Sequence, residues 1–360
     1  MSNYIEYKDK IAFHPGYYLK ELVDESGLTQ DEFAKRLGTT PKNLSILVKG
    51  NQNLSIDIAA KLSRMLGTTI AYWLNLQQLY DELQAEFLSE KELIKEREIY
   101  QFLDYKYFKT YFGLPDLPRK IDEQIKQVRE FLSVSSLTVL KEEDLAISFR
   151  SYTDSLSTSN IVNANAMVQI AINIALKSDA PKFDRKKFKE AVDFALTQTC
   201  NHSSFFPTVK KAFNEAGVIL VALPNLKNSG INGATKKVNG RILLMVNDRR
   251  HYADTFWFTL FHEIGHVING DYGITFKDHK GGSEDEADLY AQNKLIPQRS
   301  YEKFLMQNQT FHEHNIREFA YHIQRDPGIV LGRLLNDGRV PYTDTVLSEK
   351  LRFKYNITTA

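Results

Sequence analysis

The chain has 360 residues, 42% hydrophobic and 25% charged, with a formal net charge of +1. That is the make-up of a soluble globular protein with room for two or three domains, and so even a charge names no polyanionic partner by itself. A single cysteine, Cys200, excludes an internal disulfide framework and a metal held by paired thiolates, no apolar run reaches the length of a membrane span, and Met1 to Glu6 lacks the features of a secretory leader, so a cytoplasmic location is expected.

Residues 1–80 read as a compact helical bundle. Tyr17–Val23 forms a first helix, and Thr29-Gln-Asp-Glu32 is a capping box for the next. That second helix presents Phe33, Ala34 and Leu37 on one face and stops at Gly38. Thr40-Pro41 opens a third, with proline at the first position, where its missing N–H does no harm. The third helix buries Leu44, Leu47 and Val48 and ends at Gly50; a fourth begins near Ser55, buries Ile58, Ala59, Leu62 and Leu66, and ends at Gly67.

Two short helices joined by a tight glycine turn form the helix-turn-helix pattern. The face from Thr39 to Lys49 would then lie along a major groove, with Thr40, Lys42, Asn43 and Ser45 nearest the bases. Lys49, with Lys35 and Arg36, would meet phosphates. The alternative is a bundle used for protein contacts, and charge does not decide between them, since residues 1–80 hold nine basic and eight acidic residues.

Leu83, Phe87, Leu93 and Ile99 suggest a long connecting helix from Tyr80 to Phe108, and Gly113 to Pro118 is a candidate hinge. Residues 119–200 read as mostly helical; Ala164–Leu176 is apolar on nearly all sides and is expected to be buried. No chemistry is legible there. After His202 the texture changes. Gly217–Leu223 reads as a strand, and Asn239-Gly240 joins two more, Ala234–Val238 and Arg241–Val246, in a hairpin. Arg241–Asn247 is expected to be an edge able to receive a substrate as an added strand.

Asp254 to Gly270 is helix-length, with Asp254 as N-cap and Asn269-Gly270 as stop. Phe258, Phe261, Gly265 and Ile268 recur on one face, and Phe258 and Phe261 are expected to pack on the sheet. Inside it stands His262-Glu263-x-x-His266. Two histidines four apart share a helix face and can reach one zinc ion, with Glu263 placed to take a proton from the attacking water. The plainer alternative is an amphipathic helix whose histidines are exposed or satisfied in the core. Against it, Gly265 costs about 1 kcal/mol relative to alanine inside a helix, which points to a close approach of something there.

A catalytic zinc needs a third protein ligand. Ser283-x-x-Glu286 reads as a capping box, which occupies Glu286 and leaves Glu284 as the ligand. Asp288, on the same face, would fix the far nitrogen of a ligating imidazole. Glu286 is the fallback, and an acidic first turn that merely complements the helix dipole is the bland alternative. His312-Glu313-His314 lacks a partner four residues on and reads as a polar loop or helix start; His251 and His279 read as solvated loop histidines, with an oxyanion-stabilising role as the alternative.

His14-Pro-Gly-Tyr-Tyr-Leu, Gly27–Gly38 and Tyr72-Trp-Leu-Asn-Leu-Gln77 resemble the HigA-type antidote branch of XRE helix-turn-helix regulators, over about residues 12–80. The resemblance implies a dimeric repressor of a palindromic operator, with a toxin as a further partner. Asp254 to His266, Glu284 to Ala291 and Leu295-Ile-Pro297 are similar to ImmA/IrrE metallo-endopeptidases, over about residues 200–345. That resemblance implies zinc on two histidines and a downstream glutamate, and a repressor protein as substrate.

The expected fold is multidomain and mainly α: a helix-turn-helix bundle (1–80), a helical connecting region (81–200), an α+β zincin-like domain with a small sheet (201–345) and a tail (346–360). The expected function is a DNA-binding regulator whose zinc-dependent endopeptidase domain cuts a partner repressor or itself. The alternative is an antitoxin-like or sensor repressor whose metal domain has no turnover.

Overall fold

The computed structural model describes residues 3–142, 156–248, 252–276 and 282–355. They divide into two units, Met1–Lys95 and Glu96–Ala360.

The first unit opens with an antiparallel hairpin, β1 (Tyr4–Tyr7) and β2 (Lys10–Phe13), that the sequence did not announce. Each strand is four residues long, and the turn uses Lys8 at φ 54 rather than an Asn-Gly pair. Then come α1 (Pro15–Glu25), α2 (Gln30–Leu37), α3 (Pro41–Val48) and α4 (Ile56–Leu66). The capping residues act as their types dictate. Thr29 and Glu32 close a reciprocal box on α2, while Thr40 and Ser55 cap α3 and α4. Leu19, Phe33, Ala34, Leu44, Leu47 and Leu62 meet in one core.

α5 (Ile70–Tyr100) starts ten residues earlier than its charged stretch suggested, because Thr69 accepts a hydrogen bond from Tyr72 N at 3.1 Å and so caps it. The Trp-Leu-Asn-Leu-Gln run lies inside this helix, and its task is visible. Trp73 is buried in the core with its indole donating to Thr68 Oγ1 at 2.9 Å, and Gln77 Oε1 accepts from Leu54 N at 2.8 Å. The run thus ties α5 to the loop before α4. The helix also ends early: Asp104 caps a separate α6 (Tyr105–Phe112) by accepting from Lys106 N.

The second unit continues with α7 (Ile121–Leu132), a 3-10 turn at Leu137–Lys141, α8 (Thr158–Leu176), α9 (Arg185–Thr197) and α10 (Phe205–Glu215). The sheet strands follow: β3 (Val218–Pro224), β4 (Ile231–Val238), β5 (Arg241–Asp248) and, after α11 (Ala253–Asn269), β6 (Gly273–Phe276). Five helices close the unit: α12 (Ser283–Leu295), α13 (Gln298–Gln307), α14 (Glu313–His322), α15 (Pro327–Asn336) and α16 (Thr345–Leu351). None of the helices described is long and apolar enough to cross a membrane.

The sheet order is β3-β5-β4-β6, with β3 parallel to β5 and the other pairs antiparallel. The Asn239-Gly240 hairpin forms as expected, but β5 is no edge. It is paired on both sides, so Arg241–Asn247 has no free backbone to offer an added strand. Both sheet faces are covered, which is why β3 and β5 read as nearly unbroken apolar runs. Leu220, Ala222, Leu244 and Val246 join the core formed by α10 and α11. The alternate residues Ile219, Val221, Leu243 and Met245 are also buried, and α8 packs on β3, β4 and β5.

α11 packs on β4, β5, α12 and α15. It stops at Gly270 as expected. Its start differs, because the N-cap is Tyr252 and Asp254 lies inside the helix. Asp254 instead accepts two hydrogen bonds from Arg352, at 3.1 and 2.7 Å. The first helical amide, Ala253 N, donates to Phe353 O at 2.9 Å, so the chain beyond α16 supplies the cap. Phe261 is fully buried, whereas Phe258 is 36% exposed and does not pack on the sheet.

Asp326 joins this junction. It caps α15 by accepting from Gly328 N, and its other oxygen lies 3.0 Å from His202 Nε2. The His202 ring stacks on Phe353 at 4.0 Å. Burial pushes Asp326 up to about 6, against the backbone hydrogen bonds that favour its charge, and burial pulls His202 down. Asp326 therefore holds its proton more tightly folded than unfolded. Its stabilising contribution is full below 3.8 and is lost as pH rises through about 6. The Asp326→Asn protein, which keeps the cap, should lose about 2 kcal/mol less stability than wild type between pH 4 and pH 7. Urea denaturation across that range checks this, and parallel profiles would refute it.

Candidate metal centre and nucleic-acid face

α11 and α12 cross where Gly265 removes a side chain. A methyl group there would sit 3.1 Å from Ala287 Cα and 3.3 Å from the Tyr290 ring, so the close approach expected at Gly265 is with α12. This crossing brings His262 and His266 beside Glu284, and the ligating atoms of all three lie within 4.8 Å of one another. All three residues are buried.

The separations are those of a ligand set. His262 Nε2 is 3.0 Å from His266 Nε2 and 3.1 Å from Glu284 Oε2, and His266 Nε2 is 3.5 Å from Glu284 Oε1. Ligands around a tetrahedral zinc at about 2.0–2.2 Å stand about 3.3–3.5 Å apart. The far ring nitrogens settle the tautomers. His262 Nδ1 is 2.7 Å from Asp288 Oδ1 and His266 Nδ1 is 3.1 Å from Asp271 Oδ2. A carboxylate only accepts, so each Nδ1 carries a proton, and each Nε2 is the ring nitrogen turned towards the shared point. Two imidazole nitrogens and a carboxylate converge on one point, and with each Nε2 deprotonated these residues fit a cation there.

Charge on the site says the same. Burial disfavours a protonated His262, yet the carboxylates of Asp288, Glu284 and Glu263 outweigh it and hold the ring up at about 9. Burial likewise disfavours an ionised Glu284, yet His262 and His266 hold it down at about 2. The cluster favours positive charge at its centre.

Glu263 is fully buried on the other flank of α11, against the backbone of β4. A methyl on Gly233 would overlap its carboxylate, so the absence of a side chain on β4 makes the space for it.

Asp271 was missed in the sequence. Its signal was slight, a carboxylate one residue past the glycine that ends α11. The argument that singled out Glu284 also needs correcting. The N-cap of α12 is Gly282 with no side-chain cap, so Ser283 and Glu286 form no capping box. Glu286 instead accepts from Asn269 Nδ2 at 3.4 Å, turned towards the end of α11 and outside the donor set. His312 is the N-cap residue of α14, and His314 is solvent-exposed. His251 and His279 lie outside the described residues.

In the first unit, α2 and α3 flank the Gly38 turn, and Lys61 Nζ donates to Gly38 O at 3.0 Å. Lys35, Arg36, Lys42 and Lys49 are exposed, and Ser45 is half-buried. Thr40 is exposed but spends its hydroxyl accepting from Asn43 N, and Asn43 Nδ2 donates to Thr39 Oγ1 at 2.9 Å. Thr40 and Asn43 therefore hold the start of α3 in shape.

Comparison with known proteins agrees with both halves. Residues 19–73 match the family described as Helix-turn-helix, and residues 219–323 match a peptidase family described as IrrE N-terminal-like domain. The uncharacterised HTH-type transcriptional regulator YddM of Escherichia coli is 35% identical over 79 residues, 21% of this chain and 84% of its own. Virulence-associated protein I of Dichelobacter nodosus is 34% identical over 76 residues, 21% of this chain and 70% of its own. A crystal structure from Nostoc punctiforme, described as a candidate antidote protein of a plasmid maintenance system, is 28% identical, with 23% of this chain and 92% of that one covered and a TM-score of 0.23. The chain belongs to the helix-turn-helix transcriptional regulators through its amino-terminal unit. It carries in addition a domain of the IrrE-like peptidase family.

Replacing Asp271 or Asp288 by Ala should lower zinc affinity about 10–100-fold each, by freeing one imidazole to turn. Competition with a chromophoric chelator measures this, and wild-type affinity in both variants would remove the orienting role.

Proposed function

We propose that the protein is a cytoplasmic, DNA-binding regulator whose second unit is a zinc-dependent endopeptidase acting on a regulatory protein, either a partner repressor or the chain itself. In this reading residues 1–80 bind DNA, residues 201–345 form the peptidase module and residues 81–200 join them. The observation that carries it is the convergence of His262, His266 and Glu284 on one point, beside the buried side chain of Glu263.

A zinc ion held by these three residues supplies Lewis-acid polarisation of a scissile carbonyl and of water. Asp288 and Asp271 hold the two imidazoles in the ligating tautomer. Glu263 takes the proton from the attacking water and passes it to the leaving amine. Gly233 lets β4 close over that carboxylate.

In the first unit Lys35, Arg36 and Lys49 meet phosphates, Lys42 and Ser45 reach base edges, and two copies of the chain bind a palindromic operator.

Purified protein should hold about one zinc per chain, and changing both His262 and His266 to Ala should empty it. Glu263→Gln should keep the metal and abolish turnover. Mass spectrometry of cleavage products from cells making either form then identifies the substrate. If Glu263→Gln leaves the product pattern unchanged, the peptidase reading fails and the metal domain is a sensor or scaffold.

The full chain should also shift a palindromic duplex in preference to random duplex, with affinity falling as salt rises. Lys49→Ala should reduce the salt slope by about one, and Lys42→Ala should relax the sequence preference. Equal binding to random duplex would remove the operator reading.

A further inference from the structure

Between α11, α12 and α15 lies a cavity of about 170 Å³ that the proposed chemistry does not use. Its walls include Phe258 of α11, Gln292 and Leu295 of α12, and Ile329 and Leu335 of α15. The last three of these are 5% exposed or less, so the floor is dry and apolar. The charged side chains that line it are already paired, Arg352 with Asp254 at 2.7 Å and Arg333 with Asp337 at 2.8 Å, which leaves little to draw an ionic guest.

The cavity is placed by the same two helices that build the metal centre. Thr255, which also lines it, Phe258 and His262 follow one another at intervals of three and four residues, and so share a face of α11. On α12, Asp288 and Gln292 are likewise one turn apart. The Phe258 ring lies 6.4 Å from the His262 ring, centre to centre. The cavity thus opens one helical turn from the donor set, on the helix face that carries it. Phe258 and Tyr342 leave aromatic surface exposed at its mouth.

We propose that this cavity is a specificity site, which receives an apolar side chain of a polypeptide laid across the metal-binding face of α11. An apolar cavity of about 150 Å³ admits benzene, so this one has room for the side chain of Leu, Met or Phe. A charged side chain is rejected, because burying it costs solvation that the self-paired Arg352 and Asp254 do not return. The inference rests on the peptidase reading for the identity of its guest, and the test separates the two.

The zinc-loaded full-length Glu263→Gln protein is titrated with N-acetyl-L-phenylalaninamide and followed by NMR. Binding is expected, and Gln292→Trp, which fills the mouth, should weaken it about tenfold or more. Phe258→Ala, at an exposed position, should weaken it as well and guards against misfolding of the first variant; zinc content and melting temperature monitor both.

In parallel, protein with Glu263 intact is given a mixture of random peptides. Its cuts should carry an apolar residue at a fixed distance, and Gln292→Trp should erase that preference. Cutting with the preference unchanged in Gln292→Trp overturns the proposal and leaves the peptidase reading standing. If no peptide is cut, the peptidase reading is in trouble while the amide titration still decides the cavity. Binding lost in both variants supports it, and no binding, or binding indifferent to both, overturns it.

Discussion

Three acceptors facing one point is the constraint around which the second unit is arranged. Nε2 of His262, Nε2 of His266 and the Glu284 carboxylate crowd one point inside the protein, where water screens little, and positive charge among them balances the carboxylate. Holding them there requires α11 and α12 to touch at their backbones. Gly265 permits it, at a cost of about 1 kcal/mol in helix propensity, and Ala287 presents the small surface that receives it. A side chain at position 265 would press on Ala287 and Tyr290 of α12, the helix that carries Glu284.

The rest of the unit keeps α11 from yielding. The sheet supports one side, α12 and α15 another, and the carboxy-terminal segment caps its first turn through Phe353 O and the Arg352–Asp254 pair. The sheet could not do this if its far face were wet. α8 covers that face, and buried Asn163 and Asn165 with half-buried Asn173 tie α8 to the backbone around it by donating to carbonyls of Phe102, Leu140 and Leu132. The stretch in which no chemistry could be read thus has a plain physical task, which is to make a two-sided sheet out of a four-stranded one.

What the sequence disclosed and what it hid divide along the same line. Local signals were legible: the Thr29 box, the Asn239-Gly240 turn, the Gly270 stop and the four-residue spacing of the histidines each depend on neighbours in the chain. Features set by distant partners were not. Asp254 looks like an N-cap until Arg352, 98 residues away, takes its carboxylate. Arg241–Asn247 looks like an edge until β3 pairs with it, because nothing in a strand's own residues says how many neighbours it will have. Glu284 was singled out through a capping box that does not form, so geometry, and not the capping argument, brings it to the histidines. Asp271 escaped notice because an aspartate after a helix-ending glycine is common, and only the fold turns it towards His266.

Glu263 weighs most between a working peptidase and a metal-dependent scaffold. A structural zinc site closes its coordination with four protein ligands, whereas three donors leave a position open. Among the described residues the donor cluster has three members. A scaffold has no use for a further carboxylate alongside them, and burying one is costly unless its charge is compensated. This chain places Glu263 at full burial, one residue from a ligating histidine, and leaves β4 without a side chain at Gly233 to make the space. A carboxyl group buried beside the donor cluster, where proton transfer would need one, is the feature that separates the enzyme reading from the scaffold.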